Sequence, residues 1–139
     1  MRIYIDGIFD LFHYGHLESF RKCKELFPDV YLIVGVISDK VATNYKRSPI
    51  INEQDRYNIV KHIDYVDKII KNSPLIITQE FMNLHSIDYV VHAFSNIKDA
   101  TNQTEFFKYP QSVNKFIEIE YCKNNTTTQI INKIKQGSV

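Results

Sequence analysis

Two histidines three residues apart flank a glycine in the run His13-Tyr14-Gly15-His16. The run falls where an apolar segment, Arg2-Ile3-Tyr4-Ile5, gives way to a helical pattern through Leu17, Phe20, Cys23 and Phe27. Backbone N–H groups in the first turn of a helix have no partner within it and carry the positive end of its dipole, so anions settle there. Imidazoles add donors at the same point, and a glycine lets the backbone come close to a phosphate. A lone histidine reads as a satisfied core or surface residue. Two of them about a glycine, at a strand-to-helix junction, predict a phosphate-binding loop.

Apolar runs alternate with helical periodicity along the rest of the chain, which predicts a Rossmann-like α/β fold, a parallel five-stranded sheet with helices on both faces. The strands fit near 2–6, 31–37, 66–70, 88–92 and 116–120, and the helices near 15–27, 53–63, 79–85 and 126–135. Asn52 reads as a helix N-cap with Asp55 three residues on, as in a capping box, and Pro28-Asp29 closes the first helix. The polar, weakly patterned stretch 93–113 is expected to be a mobile loop. In such a sheet, ligands bind outside the carboxyl ends of the strands where strand order reverses. The His13–His16 loop, the segment from Ser38 through Lys46, and His92 should therefore converge on one edge.

With 139 residues, the chain is expected to be one domain spanning 1–139. Its 17 basic and 16 acidic residues leave a net charge of +1, too small a field to recruit nucleic acid or a membrane surface. Phosphate binding must then be local. Cys23 and Cys122 lack a metal-ligand spacing and fit a reducing compartment. No apolar run is long enough to span a bilayer, the chain starts directly on a strand, and no long basic amphipathic tail follows the last helix. The expectation is a cytoplasmic protein without stable membrane association.

Five ordered segments carry a family resemblance: Asp6-Gly7-Ile8-Phe9-Asp10-Leu11-Phe12-His13 with the following Gly15-His16; Tyr31 to Val36 with Ser38-Asp39; Asn52-Glu53-Gln54-Asp55-Arg56-Tyr57; His62 to Asp67; and Glu80-Phe81 with His85 to His92. Together they resemble the cytidylyltransferases, and their order and spacing are most similar to the catalytic domain of the choline-phosphate enzymes. The resemblance implies an enzyme that moves CMP from CTP onto a small phosphorylated alcohol, phosphocholine first, with release of pyrophosphate. It implies a catalytic set of His13, His16 and Lys46. Gly7, Ile8, Phe9, Gly15, Asp39, Thr126 and Thr127 would bind the nucleotide, and Asp10, Arg56 and His92 the acceptor. Arg56 would hold the acceptor's phosphate. Asp10 and Asp39 stay open between a cap or turn role and a hold on metal and ribose. The triphosphate implies magnesium, with no dedicated protein metal site, and Asp64-Tyr65-Val66-Asp67 resembles a twofold contact, so a homodimer is expected.

The chemistry suits these residues. A phosphomonoester is already an anionic nucleophile at neutral pH, since its second pKa lies near 6. Attack on the α-phosphorus needs no general base, only positioning and charge neutralisation. Four positions depart from the family pattern. Ala93 follows His92 where an acidic residue is expected, and Leu75 follows Pro74 where the choline-type enzymes have tryptophan. Tyr121 takes an arginine position and Asn124 a glycine position, with Lys123 as a stand-in cation. These losses predict weakened phosphocholine use. They keep three alternatives open: ethanolamine phosphate, glycerol 3-phosphate, or a nucleotide-binding protein without turnover.

Overall fold

The computed structural model describes residues 1–123 and 126–137. Strand β1 (Arg2–Gly7) leads into α1 (Tyr14–Glu25), β2 (Tyr31–Val36), α2 (Asp39–Tyr45) and α3 (Glu53–Lys61). Then come β3 (Lys68–Lys71), α4 (Gln79–Leu84), β4 (Tyr89–His92), α5 (Ile97–Asn102), α6 (Lys108–Ser112), β5 (Phe116–Glu118) and α7 (Thr127–Lys135). The sheet runs β3-β2-β1-β4-β5 and every pairing is parallel, with Ile5 beside Val34 on one side and Val91 on the other. The order reverses between β1 and β4, and the carboxyl ends of those strands are Asp6-Gly7 and His92.

Alternation along the strands sorts the core into two layers. Ile3, Ile5, Leu32, Val34 and Val36 pack with Phe20 and Cys23 of α1 and Tyr57 and Val60 of α3. Tyr4, Ile33 and Val90 point the other way, onto Ile77, Met82 and Phe107. Gly35 makes room for this second layer: a Cβ there would lie 2.0 Å from the Tyr4 hydroxyl.

The five expected strands are present in the expected order, with β3 starting two residues late and β5 ending two residues early. Two corrections concern helices. The Ser38–Lys46 connection contains α2, capped by the Ser38 hydroxyl, which accepts from Val41 N–H at 3.3 Å. The expected mobile loop 93–113 instead contains α5 and α6. Helices of five or six residues are too short to show a 3.6-residue repeat in sequence. What orders the stretch is burial of Phe107, 1% exposed, and of Gln103, 7% exposed.

Candidate active site

The β1–α1 loop carries the two histidines on a strained backbone. Phe9 and Leu11 adopt left-handed φ values of 56° and 48°, which cost non-glycine residues about 1–3 kcal/mol each. Burial holds Phe9 there: its ring lies edge-on to Phe20 at 5.2 Å and to His16 at 5.4 Å. Gly7 leaves space beneath it, because a Cβ would come within 2.9 Å of that ring.

The histidines cap α1 in a reciprocal box. His13 Nδ1 accepts from Gly15 N–H at 3.0 Å, and His16 Nδ1 accepts from His13 N–H at 3.2 Å. A ring nitrogen that accepts carries no proton, so each neutral imidazole keeps its hydrogen on Nε2. The rings stack with centroids 3.8 Å apart. Burial lowers the pKa of His13, and it pushes His16 down to about 3, assisted by His13 and Lys46 and opposed by Asp10. Both are therefore uncharged donors at neutral pH. Gly15 is required by the stack, since a Cβ there would sit 2.8 Å from the His13 ring.

A second helix start meets the first. Thr126 caps α7 in a box with Gln129, and the Thr127 hydroxyl donates to the Asp10 carbonyl at 2.9 Å. Thr127 Oγ1 also lies 3.2 Å from His13 Nε2, which places it as that donor's acceptor. Neither α1 nor α7 has an acidic residue in its first turn, so both dipole ends are uncompensated. Asn124 and Asn125 lie outside the described residues, so the turn expected at Asn124 does too.

Asp10, 2% exposed, latches the segment after α2: its carboxylate accepts from Ile50 N–H, Ile51 N–H and Arg47 Nη1 at 2.8–3.0 Å. Burial alone would raise its pKa, but these donors outweigh it and the net shift is downward. The latch presents Lys46 and Arg47 to the same cavity as the histidines. Of Asp10's two open readings, its hydrogen bonds match the structural one.

Arg56 and Asp39 are placed elsewhere, which corrects two expectations. Arg56 has no exposed surface, and its guanidinium donates to the carbonyls of Ile51, Ile8 and Ile37 and to Asp39 Oδ1. Asp39 in turn accepts from Glu53 N–H with its other oxygen. The pair ties the β1–α1 loop to the starts of α2 and α3, and neither residue lines the cavity. A helical arginine near an N-terminus looks identical in sequence whether it faces a ligand or three buried carbonyls.

The remaining predicted residues meet in one cavity of about 190 Å³ at the switch point. Gly7, Ile8, Phe9, Asp10, His13, Gly15 and His16 line it from the β1–α1 loop, Lys46 from beyond α2, Thr126 and Thr127 from α7, and His92 from β4. Sequence reasoning missed Asp6, Tyr45, Arg47, Ser95, Asp99 and Gln103 as site residues, although all of them line it. Asp6 had a signal, since it stands beside Gly7 at the end of an apolar strand. Asp99 had none, because its stretch carried no element pattern. The Asp6 side chain is 6% exposed, and its carboxylate lies 3.7 Å from His92 Nδ1, beyond hydrogen-bond reach. That Nδ1 is itself buried and has no hydrogen-bond partner among the described residues.

A family model described as cytidylyltransferase-like matches residues 4–133. The chain belongs to that family. Choline-phosphate cytidylyltransferase A of Rattus norvegicus is 39% identical over 134 residues, covering 96% of this chain and 36% of the relative. Ethanolamine-phosphate cytidylyltransferase of Dictyostelium discoideum is 30% identical, again over 96% of this chain and 36% of the relative. The chain thus spans about a third of the length of these relatives. A crystal structure described as a lipopolysaccharide core biosynthesis protein from Thermoplasma volcanium GSS1 superposes with a TM-score of 0.70 at 21% identity, covering 88% of this chain and 98% of that one. That likeness shows the fold. Ala93 and Tyr121, the positions where the resemblance leads one to expect an acidic residue and an arginine, both line the cavity. No helix among the described residues is long and apolar enough to cross a membrane.

Proposed function

We propose that this family member transfers CMP from CTP to the phosphate of a small phosphorylated alcohol, phosphocholine being the preferred acceptor, with release of pyrophosphate. The observation that carries the proposal is the pair of neutral, Nδ1-pinned histidines at two uncompensated helix N-termini. An acceptor phosphate oxygen bonds to the α-phosphorus while the bond from that phosphorus to the α,β-bridging oxygen breaks, and its electrons leave with pyrophosphate. His16 Nε2–H, and His13 Nε2–H once released from Thr127, would donate to phosphate oxygens as charge moves toward the leaving group. Lys46 and Arg47 neutralise the triphosphate. Arg47 keeps three N–H groups beyond those that reach Asp10 and the Ser48 carbonyl, so it supplies a guanidinium that Tyr121 does not.

Among the described residues no three His, Cys, Asp or Glu side chains are grouped to hold a metal. Magnesium, held mainly by phosphate oxygens and water, would add charge neutralisation. Tyr65 packs only partly into the core and Asp64 is exposed, which leaves surface for the proposed homodimer; a monomer in sedimentation at micromolar concentration would refute it. Two free thiols suit the cytoplasm as the compartment.

The direct test is pyrophosphate release with CTP against phosphocholine, phosphoethanolamine and glycerol 3-phosphate, with CTP binding followed in parallel. Turnover with at least one acceptor is expected. CTP binding without any turnover would replace the proposal with a nucleotide-binding role, the reading that the change at Tyr121 favours.

A further inference from the structure

We propose that Asp99, brought in by α5, supplies the carboxylate that makes the cavity select an acceptor with a positively charged head group. The inference deepens the transferase reading and rests on it. The sequence loses an acidic residue at Ala93, yet the folded chain brings negative charge to the same cavity from a different element. Asp99 lines it together with Asp6, Tyr45, Tyr121 and Gln103.

Asp99 is fixed in place. One carboxylate oxygen accepts from Ser95 N–H at 3.0 Å and the other from the amide of Gln103, which is 7% exposed. Its own N–H is capped by Asn96. Asp6 supplies an independent sign that a ligand is missing. Its carboxylate is almost wholly buried, accepts no hydrogen bond among the described residues, and faces a His92 nitrogen that also lacks a partner. A buried charge without a partner is unfavourable, so such a group is held for something that pairs with it. Neither Lys46 nor Arg47 does so: Arg47 pairs with Asp10, and no ion pair joins Lys46 to Asp6 among the described residues.

The walls suit the same ligand. Burial first, and then the negative charges of Asp6 and Asp99, raise the Tyr45 hydroxyl pKa. Burial and Asp99 likewise raise that of Tyr121. Both phenols therefore stand in the field of Asp99, and the Tyr45 ring is braced edge-on against Phe106 at 5.8 Å. An ammonium head group is drawn to carboxylates and aromatic rings and needs no directional donors. A neutral polyol could donate hydroxyl hydrogen bonds to these carboxylates but would bring no positive charge to balance theirs. The cavity thus offers donors and cations for phosphates near α1 and α7, and acidic and phenolic groups for a cation near α5.

Asp99→Asn tests this, with Asp99→Glu retaining the charge. Binding of phosphocholine and of glycerol 3-phosphate is titrated calorimetrically alongside turnover with CTP. For Asp99→Asn, the preference for phosphocholine over glycerol 3-phosphate should fall about tenfold, and Asp99→Glu should recover part of it. Equal losses for both acceptors would make Asp99 merely structural and overturn the proposal. So would an unchanged preference, or a wild-type chain that binds neither acceptor or favours glycerol 3-phosphate. If the wild type binds phosphocholine selectively and Asp99→Asn abolishes that, but nothing turns over, the head-group assignment stands and the transferase reading fails.

Discussion

Arg56→Ala removes a guanidinium that has no exposed surface and donates to three backbone carbonyls and to Asp39. Each acceptor left unsatisfied in the interior costs roughly 1–3 kcal/mol. Breaking a buried charged pair costs about 3–5 kcal/mol by itself. Because Asp39 is 41% exposed on its side chain, most of the loss should come from the carbonyls of Ile8, Ile37 and Ile51. About 4 kcal/mol is a fair expectation from either route, against a total stability of roughly 5–15 kcal/mol for a domain of this size. Urea unfolding followed by circular dichroism should therefore show a midpoint lowered by a large fraction, with partial unfolding at 37 °C. Arg56→Lys keeps the charge but cannot reach all four acceptors, and should recover only part of the loss. A variant that unfolds at the wild-type midpoint, yet shows a raised KM for every phosphomonoester, would refute this reasoning and return Arg56 to the acceptor site.

Three further outcomes follow from the same geometry. His16 ordinarily titrates near 6.5 but in the fold only near 3, so between those values the unfolded chain binds the extra proton; stability should fall by about 4–5 kcal/mol as pH drops through that window, and His16→Gln should flatten the urea midpoint against pH. An unchanged slope would show that His16 is not held neutral. Gly15→Ala puts a Cβ 2.8 Å from the His13 ring, so the stack must open; the fold should persist while the rise in melting temperature caused by CTP shrinks, and a full rise would contradict the role given to the stack. Phe107→Ala should cost about 3–5 kcal/mol because the ring is 1% exposed, whereas a freely mobile 93–113 segment would show almost no change in thermal unfolding.

Features carried by short stretches were legible in the amino-acid order. The five strands show as apolar runs, and Asn52 shows as a cap that accepts from Asp55 N–H at 3.0 Å. His13-Tyr14-Gly15-His16 and Thr126-Thr127 announce helix starts, because the partners in each cap lie within three residues of one another. The tertiary structure alone decided what depends on distant partners. Asp10 meets Ile51 across 41 positions and Arg56 meets Ile8 across 48, so a latch and a buried anchor looked like ligand contacts. Strand order belongs to the same class: only the pairing of β1 with both β2 and β4 puts Asp6 beside His92 and opens the crevice there. Asp99 reaches that crevice through a six-residue helix with no periodicity of its own, whose placement depends on the burial of Phe107 farther along the chain. Local hydrogen bonding and side-chain alternation are written in neighbouring residues, whereas burial and long-range pairing are properties of the assembled chain.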